Sequence, residues 1–440
     1  MTRSRGPVTP GRIRLCDVDL DQPLRDLNGL DDYVALRALV RAHGVPLGIV
    51  DVPLTHGTCA ASSVHAAVLS QLGATLRRYL EQLGRTPEDS RLERDPLWKV
   101  IGPAPAGGAA DSPFVTVAVC TRDRPHDLEI CLASVSRLEY ARLDVLVVDN
   151  APSDDVTEQL LRSTFPAVRY AREPRRGLNW ARNRAVLEAR GDIIAFTDDD
   201  VVVDARWVRG LASAFARAGD DVLAVTGLVV PFELETDAQV WFERYGGFTA
   251  GFEPRTLRGD ARWGVRGAWH YAQMAQQFTG ANMAFRRRAF DEVGLFDPAL
   301  DVGTPTNGGG DLDMLYRILK EGFAVVYEPR AMVRHRHRRD YATLRHQIHG
   351  WGSGYSAFLT RSAIAWPEAS WVLALLGARA VWQQVVRSTR ASLRPPGFPP
   401  GLAWRELSGT FVGPLRYWRA RNAAAAALRR FGAQAPEGAQ

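Results

Sequence analysis

The middle of the chain alternates short, continuous apolar runs with segments in which apolar residues recur at helical spacing. A short continuous apolar run is typical of a strand buried on both faces, and helical spacing is typical of an element that covers such a sheet. The alternation therefore predicts an α/β domain with a parallel sheet and right-handed crossovers. Strands are predicted at 114–120, 145–148, 168–170, 193–197 and 324–327, and helices at 128–138, 157–163, 179–189, 206–218 and 311–321.

The two ends of the chain carry different patterns. Residues 33–53 alternate around a tight turn and residues 61–83 have helical spacing, which predicts a small ββα-type unit. This unit holds no titratable cluster, which favours a packing or docking role. A Pro-, Gly- and Ala-rich stretch follows it. We divide the chain into an N-terminal domain at 1–88, a linker at 89–113, an α/β domain at 114–340 and a helical C-terminal extension at 341–440.

Composition narrows the functional classes. Of 440 residues, 46% are hydrophobic and 24% are charged, an ordinary globular balance. The formal charge of +6 fits an anionic small substrate or an anionic membrane surface, and the lack of blocks of like charge argues against a nucleic-acid partner. Four cysteines without CxxC or zinc spacing predict a reducing compartment. No signal peptide or bilayer-spanning stretch is expected, so we predict a cytoplasmic protein, peripheral at the inner face of the membrane if it contacts lipid.

Three adjacent carboxylates, Asp198, Asp199 and Asp200, follow the apolar run at 193–197. Their charges repel one another, so their proximity favours a bound cation. Ligand sites of parallel sheets lie at the carboxyl ends of the strands, and hard oxygen ligands suit Mg²⁺ or Mn²⁺ together with a diphosphate. The sequence predicts a divalent metal–diphosphate site here, with a solvated acidic turn as the alternative.

Polar residues also follow the first two strands of the α/β domain. Thr121, Arg122 and Asp123 follow the first strand and Asp149 ends the second, so they are expected to face one crevice. Asp149 suits base N–H groups or sugar hydroxyls, although aspartate is also common in loops and caps. Arg182 lies in a helix body expected to face the same crevice. Arg175 and Arg176, at the start of that helix, suit phosphate oxygens, and the alternative is that they form a solvated basic patch.

Four segments carry a family resemblance together, although none is decisive alone: 117–124, 147–150, 177–183 and 196–200. In this order they resemble the inverting, nucleotide-sugar-dependent glycosyltransferases of family 2, which have the GT-A fold. The resemblance covers about residues 114–340. It implies a Rossmann-like, mostly parallel sheet with helices on both faces.

The resemblance also implies an activity and its partners. A hexosyltransferase of this kind moves a sugar from a UDP-, GDP- or dTDP-sugar to an acceptor hydroxyl with inversion, using Mg²⁺ or Mn²⁺. The acceptor would be a carbohydrate, a lipid-linked molecule or a small molecule, as in cell-envelope or polysaccharide biosynthesis. No nucleic-acid partner is expected.

Roles for the acids follow from the same resemblance. Asp198 and Asp200 stand at the family's Asp-x-Asp motif, where Asp200 would ligate the metal and Asp198 would lean towards the ribose or the metal's water shell. Asp149 matches the family's nucleotide-binding acid. The other positions implied to bind the nucleotide are Thr121, Arg122, Asp123, Arg182 and Asp199.

Two later segments resemble the acceptor side of the family. Gly280, Ala281 and Asn282 would line the floor near the donor sugar. The family usually has Glu-Asp where this chain has Gly310 and Asp311. Asp311 keeps the acid and is predicted to be the general base, and Gly310 would allow a close approach by a sugar. A plain N-cap role for Asp311 is the alternative.

A basic run at 334–339 follows the last predicted strand. The family often has a histidine here that completes the metal shell or touches the diphosphate. His335 fits this position best, with His337 in reserve. A solvated basic loop is the alternative.

Other functions stay open at this point. A nucleotidyltransferase would need a glycine-rich phosphate loop after the first strand, and residues 121–125 contain no glycine. A non-catalytic nucleotide- or carbohydrate-binding scaffold is compatible with the loss of the glutamate at position 310. Tryptophan and arginine at helical spacing near the C-terminus favour either an interfacial membrane surface or a Trp-rich lid over the cleft.

Overall fold

The structure is a computed structural model with three parts: a small N-terminal sheet with helices, a nine-stranded central sheet, and three long C-terminal helices. Part of the predicted linker forms two short helices, and its residues 105–112 lie outside the described residues. The structure describes residues 10–86, 88–104, 113–259, 278–393, 399 and 401–431.

The N-terminal domain corrects the ββα prediction because a third strand precedes the predicted hairpin. This first strand pairs in parallel with the second, and the second forms an antiparallel hairpin with the third. The hairpin turns at His43 and Gly44, with φ of 51° and 77°, the conformation that matches the twist of tight hairpins. The elements are β1 (Ile13–Asp19), β2 (Ala35–Ala42), β3 (Val45–Pro53), α1 (Ala61–Gln82), α2 (Asp89–Arg94) and α3 (Leu97–Ile101).

The central domain contains every strand and helix predicted for it, with shifted ends, and several elements that were not predicted. Its strands are β4 (Val115–Thr121), β5 (Leu143–Asn150), β6 (Arg169–Glu173), β7 (Ile193–Asp198), β8 (Val201–Val203), β9 (Val222–Pro231), β10 (Arg255–Arg258), β11 (Asn282–Arg286) and β12 (Ala324–His335). Its helices are α4 (Pro125–Val135), α5 (Val156–Thr164), α6 (Leu178–Glu188), α7 (Trp207–Ala218), α8 (Asp237–Tyr245), α9 (Ala289–Val293) and α10 (Gly310–Lys320).

The sheet has the order β10-β12-β9-β11-β7-β4-β5-β6 and is mostly parallel. Strand β11 runs antiparallel to both of its neighbours. Its first residue, Asn282, pairs with Thr197 near the end of β7. The segment that enters β11 therefore lies at the carboxyl ends of the parallel strands, where ligand sites of such sheets form.

Helices cover both faces of this sheet, as predicted. One core packs the sheet against Leu132 of α4 and Trp207 of α7. The other core packs the opposite face against Ala181 of α6 and Leu315 of α10. Both cores consist of apolar strand residues buried between helices, the arrangement that stabilises parallel sheets.

The C-terminal extension is helical, as predicted, and its helices pack closely together. Glycines allow this contact: a Cβ at Gly352 would meet the Glu406 carbonyl, and a Cβ at Gly409 would meet the His349 carbonyl. Within the described residues, we find no helix of the length and apolarity that crossing a membrane requires. The helices are α11 (Tyr341–Ala365), α12 (Ser370–Leu393) and α13 (Gly401–Phe431).

The N-terminal domain contacts the central domain through apolar and charged groups. Leu39 of β2 packs against Leu228 and Met332. Arg41, on the same strand, pairs with Asp204 at 3.1 Å. The contacts reach the central strands β9 and β12, so the small domain packs against the sheet that carries the cleft.

Candidate active site

A cleft of about 1770 Å³ opens at the carboxyl ends of the central strands. Its walls come from the ends of β4 and β7, the segment before β11, the start of α10 and the C-terminal helices. Ten of the predicted site residues line it: Thr121, Arg122, Arg182, Asp198, Asp199, Asp200, Gly280, Ala281, Asp311 and His335.

Three of these residues form a cluster that fits a divalent cation. Ligand atoms of Asp198, Asp200 and His335 all lie within 4.8 Å of one another. Strand register produces this proximity, because His335 pairs with Val201, the residue that follows Asp200. Two carboxylates and one imidazole are a donor set that Mg²⁺ or Mn²⁺ accepts.

The electrostatics of the cluster agree with this fit. Burial and the neighbouring Asp200 carboxylate raise the pKa of Asp198 to about 7. Burial alone would raise the pKa of Asp200, but the positive groups around it, including Arg338 and Arg124, hold that pKa below its ordinary value. Burial lowers the pKa of His335 to about 4, which keeps its imidazole neutral and able to donate a lone pair.

A buried chain of hydrogen bonds orients the His335 ring. Nδ1 of His335 lies 3.3 Å from Nδ1 of His337, and Nε2 of His337 lies 3.0 Å from Oε1 of Glu243. Because the carboxylate only accepts, His337 donates from Nε2 and accepts at Nδ1, and His335 then donates from Nδ1. This leaves the His335 Nε2 lone pair facing Asp200, 3.3 Å away.

The middle carboxylate of the acidic triplet does not join the cluster. Oδ2 of Asp199 accepts a hydrogen bond from the Thr121 hydroxyl at 2.8 Å, and Oδ1 accepts one from Arg124 at 3.1 Å. Burial raises the pKa of Asp199 to about 6. Arg124 also donates to Oδ2 of Asp200 at 3.2 Å, so it ties two of the three acids together.

Two predicted nucleotide residues lie beside the cleft rather than on its wall. Asp123, at φ 54°, accepts hydrogen bonds from the backbone and hydroxyl of Ser153 at 2.9 and 2.7 Å, which lower its pKa. Asp149 is buried and accepts a hydrogen bond from the Tyr170 hydroxyl at 3.2 Å. Burial raises the pKa of Asp149 to about 6. Its neighbour Asn150 lines the cleft instead.

The arginine pair at the start of α6 divides into two roles. Arg176 lines the cleft. Arg175 is buried, pairs with Glu173 at 2.6 Å and stacks on the ring of Trp180 at 4.1 Å. Arg176 is therefore the member of the pair that can meet a phosphate oxygen.

Arg182 reaches the cleft wall but is already neutralised. Its Nη1 donates to Oδ2 of Asp301 at 2.5 Å and to Oδ1 of Asn179 at 3.1 Å. Both charged partners are buried. Arg182 thus organises this wall through Asp301 and is not an unpaired phosphate ligand.

Asp311 stands in the first turn of α10 and faces the cleft. Its Oδ2 accepts the backbone N–H of Gly280 at 2.8 Å, and its Oδ1 accepts that of Leu312 at 2.9 Å. Burial and the charge of Asp301 raise its pKa above the ordinary range. By contrast, Asp313 is buried in ion pairs with Arg317 and Arg361.

Two predicted substrate residues do not line the cleft. The Asn282 side chain is buried and accepts from Nε1 of Trp207 at 2.8 Å, while its amide donates to the carbonyls of Leu228 and Ala331. Its polar atoms are used inside the core, so the structure assigns it to sheet packing. Gly310 also packs inward: a Cβ there would lie 2.5 Å from Oδ2 of Asp301.

The structure adds residues that the sequence did not single out for this site. Arg338 donates to Asp200 at 3.3 Å. The other two are Asp301, which pairs with Arg182, and Arg124, which pairs with Asp199 and Asp200. Arg124 and Arg338 lie in the sequence runs 121–125 and 334–339, but only the folded chain shows which carboxylates they contact. For Glu243 and Asp301 no sequence motif gave a signal.

The C-terminal helices complete the side of the cleft opposite the sheet. Trp351 and Tyr355 come from α11, Gln383 from α12, and Arg416 and Arg419 from α13. Aromatic, amide and cationic groups of these helices therefore face the cleft together.

Comparison with known proteins gives the class of this domain. Residues 116–294 match the profile of Glycosyl transferase family 2. The chain is 26% identical over 238 residues to a glucosyl-dolichyl phosphate glucuronosyltransferase of Haloferax volcanii, covering 50% of this chain and 69% of that protein. It is 27% identical over 274 residues to the succinoglycan biosynthesis protein ExoM of Rhizobium meliloti, covering 60% and 81%.

These matches identify the protein as a glycosyltransferase. Residues 116–294 form its glycosyltransferase family 2 domain. Among solved structures, the mannosyltransferase PcManGT from Pyrobaculum calidifontis in complex with GDP-Man and Mn²⁺ shares 18% identity over 85% of this chain and 88% of that one, with a TM-score of 0.40.

Proposed function

We propose that this glycosyltransferase is metal-dependent and moves a sugar from a nucleoside-diphosphate sugar to an acceptor hydroxyl with inversion. The observation that carries the proposal is the arrangement of two groups in one cleft. The Asp198, Asp200 and His335 cluster lines it at the strand ends, and Asp311 lines it at the start of α10. A cation site and a candidate base thus share one substrate space.

Asp198, Asp200 and His335 would hold Mg²⁺ or Mn²⁺, which supplies positive charge against the departing diphosphate. The chain's own cations add to this. Arg122 and Arg176 line the same cleft and carry no side-chain hydrogen bond to an acid among the described residues, although Arg122 lies 3.4 Å from Asp123. They are placed to meet phosphate oxygens.

Asp311 would accept the proton of the acceptor hydroxyl. The N–H groups of Gly280 and Leu312 fix its carboxylate, and its raised pKa makes it a stronger base than an ordinary aspartate. The acceptor oxygen then bonds to the anomeric carbon as the bond to the diphosphate oxygen breaks on the opposite side. One such displacement inverts the anomeric configuration.

The pairing of the other acids supports a single displacement. Among the described carboxylates that line the cleft, Asp199 and Asp301 are bound by arginines and Glu406 is bound by Tyr245. Asp198 and Asp200 belong to the cation cluster. Asp311 alone is held only by backbone N–H groups. A retaining mechanism would need a second carboxylate placed as nucleophile.

A thermal-shift panel with UDP, GDP and dTDP, with and without Mn²⁺ or Mg²⁺, tests the binding half of the proposal. We expect one nucleotide to raise the melting temperature only with metal present, because the cation links the protein to the diphosphate. Stabilisation by a nucleotide in EDTA, equal to that with metal, would contradict metal dependence.

Hydrolysis of the matching nucleotide sugar tests the catalytic half. We expect turnover in the wild type and a large loss in Asp311→Asn with nucleotide binding retained. The matched control is Asp220→Asn, a carboxylate that is 93% exposed. No turnover with any nucleotide sugar in the wild type would favour a binding scaffold.

A further inference from the structure

Helix α13 presents an apolar face to solvent. Trp404, Phe411, Leu415 and Trp418 are spaced so that they fall within about 60° of one another around an ideal helix. Phe411 is 68% exposed and Trp418 is 61% exposed, although both are large apolar side chains. The other side of the helix is buried through Leu402 and Tyr417. The exposed face is therefore not needed to hold the helix in place.

Helix α12 repeats this arrangement. Trp371, Leu375 and Trp382 fall within about 40° of one another and are all exposed, Trp382 to 67%. Leu373 and Ala380 on the opposite side are buried. Scattered exposed apolar residues are normal, but two helical faces that each align two tryptophans indicate an interaction surface.

Charge indicates what this surface meets. The sequences of α12 and α13 contain nine arginines and one acid, Glu406. That acid is bound to Tyr245. The whole chain has a net charge of +6, so the rest of the chain is slightly acidic and the positive surplus lies in these two helices. An occupant with negative charge and an apolar interior complements both properties.

We propose that the exposed faces of α12 and α13 form a peripheral docking surface for an anionic phospholipid bilayer. Tryptophan and arginine together are typical of helices that lie in the plane of a membrane interface. Arg416 and Arg419 line the cleft while their neighbours Leu415 and Trp418 are exposed. Docking would therefore bring the cleft close to the headgroup region, where an acceptor held in the membrane could enter.

This inference stands apart from the proposed function, because it requires neither metal nor nucleotide. Flotation of the purified full chain with vesicles tests it directly. We expect the protein to float with phosphatidylcholine–phosphatidylglycerol vesicles at low salt, at least about tenfold more than with phosphatidylcholine alone, and less at high salt. Absence of flotation with anionic vesicles at low salt would overturn the proposal.

Two variants separate apolar from charged contributions. Phe411→Ser/Trp418→Ser should reduce flotation at least about fivefold, and Arg421→Gln/Arg429→Gln/Arg430→Gln should weaken its salt dependence. Both leave the cleft-lining residues unchanged. The control is Trp98→Ser, an exposed tryptophan on α3 that is expected to have no effect. Equal flotation of the first variant and the wild type would overturn the proposal.

A spectroscopic measurement distinguishes the bilayer from a protein occupant. Brominated lipid should quench wild-type tryptophan fluorescence more strongly than that of Trp382→Phe/Trp418→Phe. Analytical ultracentrifugation should show the same oligomeric state for wild type and Phe411→Ser/Trp418→Ser. A wild-type dimer that becomes monomeric in this variant, without lipid quenching, would assign the surface to a second copy of the chain and overturn the proposal.

Discussion

Arg182 donates from Nη1 to Oδ2 of Asp301 at 2.5 Å, and this buried pair lies against the point where Gly310 begins helix α10. Asp301 holds an unusual backbone conformation, with φ of 81°. The family resemblance predicts a glutamate at position 310. Here a carboxylate from the preceding loop, Asp301, occupies the space beside Gly310, so the site keeps an acid although the motif has lost one.

Removing Asp301 should therefore destabilise the protein. Asp301→Ala leaves the buried guanidinium of Arg182 without its counter-ion, and we expect a loss of about 3–5 kcal/mol in the free energy of unfolding. Chemical denaturation measures the loss. The exposed Asp220→Ala should change the free energy by less than about 0.5 kcal/mol.

Restoring the glutamate tests whether Asp301 replaces it. Gly310→Glu alone should destabilise, because its Cβ would lie 2.5 Å from Oδ2 of Asp301 and meet the Asn179 amide. Asp301→Gly/Gly310→Glu removes the clash with Asp301 and returns a carboxylate. We expect the double variant to be more stable than either single variant. If the destabilisation of the double variant equals the sum of those of Asp301→Gly and Gly310→Glu, a glutamate at position 310 does not replace Asp301.

Asp311 should control the acidic limb of the pH profile. Its pKa lies above the ordinary aspartate value, so the basic carboxylate is fully present only above that raised pKa, and kcat/KM should fall tenfold per pH unit below it. Asp311→Asn should lower kcat at least about 100-fold at any pH with nucleotide binding retained. Asp311→Glu should move the limb, and a limb unchanged in that variant would assign it to another group.

The Glu243–His337 pair should tune metal affinity through His335. Without His337 or the Glu243 carboxylate, nothing fixes the proton on Nδ1 of His335, and the Nε2 lone pair is less available. We expect His337→Ala and Glu243→Gln to weaken Mn²⁺ binding about 10- to 100-fold, measured by calorimetry on metal-stripped protein. His126→Ala on the exposed side of α4 is the control. Wild-type affinity in both variants would show that the pair only fills space.

This pair also connects the two domains. Arg37 of the N-terminal strand β2 lies 3.7 Å from Oε2 of Glu243. The small domain therefore places a cation behind the candidate metal ligand, with one glutamate and one histidine between. The N-terminal domain, for which the sequence predicted only a packing or docking role, thus contacts the hydrogen-bond chain from Glu243 through His337 to His335.

The sequence predicted the parallel half of the sheet well, because each of those strands is a continuous apolar run bounded by polar residues. Strands β4, β5 and β7 agree with the predicted runs to within a few residues. Strand β9 is equally apolar but was not predicted. Strand β11 was read as an acceptor segment, and its antiparallel position depends on contacts distant in the sequence.

The sequence predicted those site residues that lie at the carboxyl ends of strands. Asp198 ends β7 and Asp200 lies two residues further on, so any parallel sheet places them at the ligand edge. Asp301 and Glu243 could not be found this way, since each gains its role from a partner far away in the sequence. Asn282 matched a motif, yet the three hydrogen bonds of its amide hold it in the core.

Asp149 should make the stability of the protein depend on pH. Its folded pKa is about 6 against 3.8 for an unperturbed aspartate, because burial disfavours the charged form. As the pH rises through this interval the unfolded chain loses the proton first, so the contribution of Asp149 to stability falls between about pH 4 and pH 6. Above about pH 6 the stability lost through Asp149 stays constant.

Asp149→Asn removes this ionisation while its amide oxygen can still accept from the Tyr170 hydroxyl. Relative to wild type, the variant should therefore gain about 2–3 kcal/mol in unfolding free energy on going from pH 4 to pH 7. Urea denaturation in EDTA at both pH values measures the difference, and Asp220→Asn should show none. A difference that is flat with pH, or of opposite sign, would mean that Asp149 stays charged inside the fold. Its buried carboxylate would then have to be compensated by more than the Tyr170 hydroxyl.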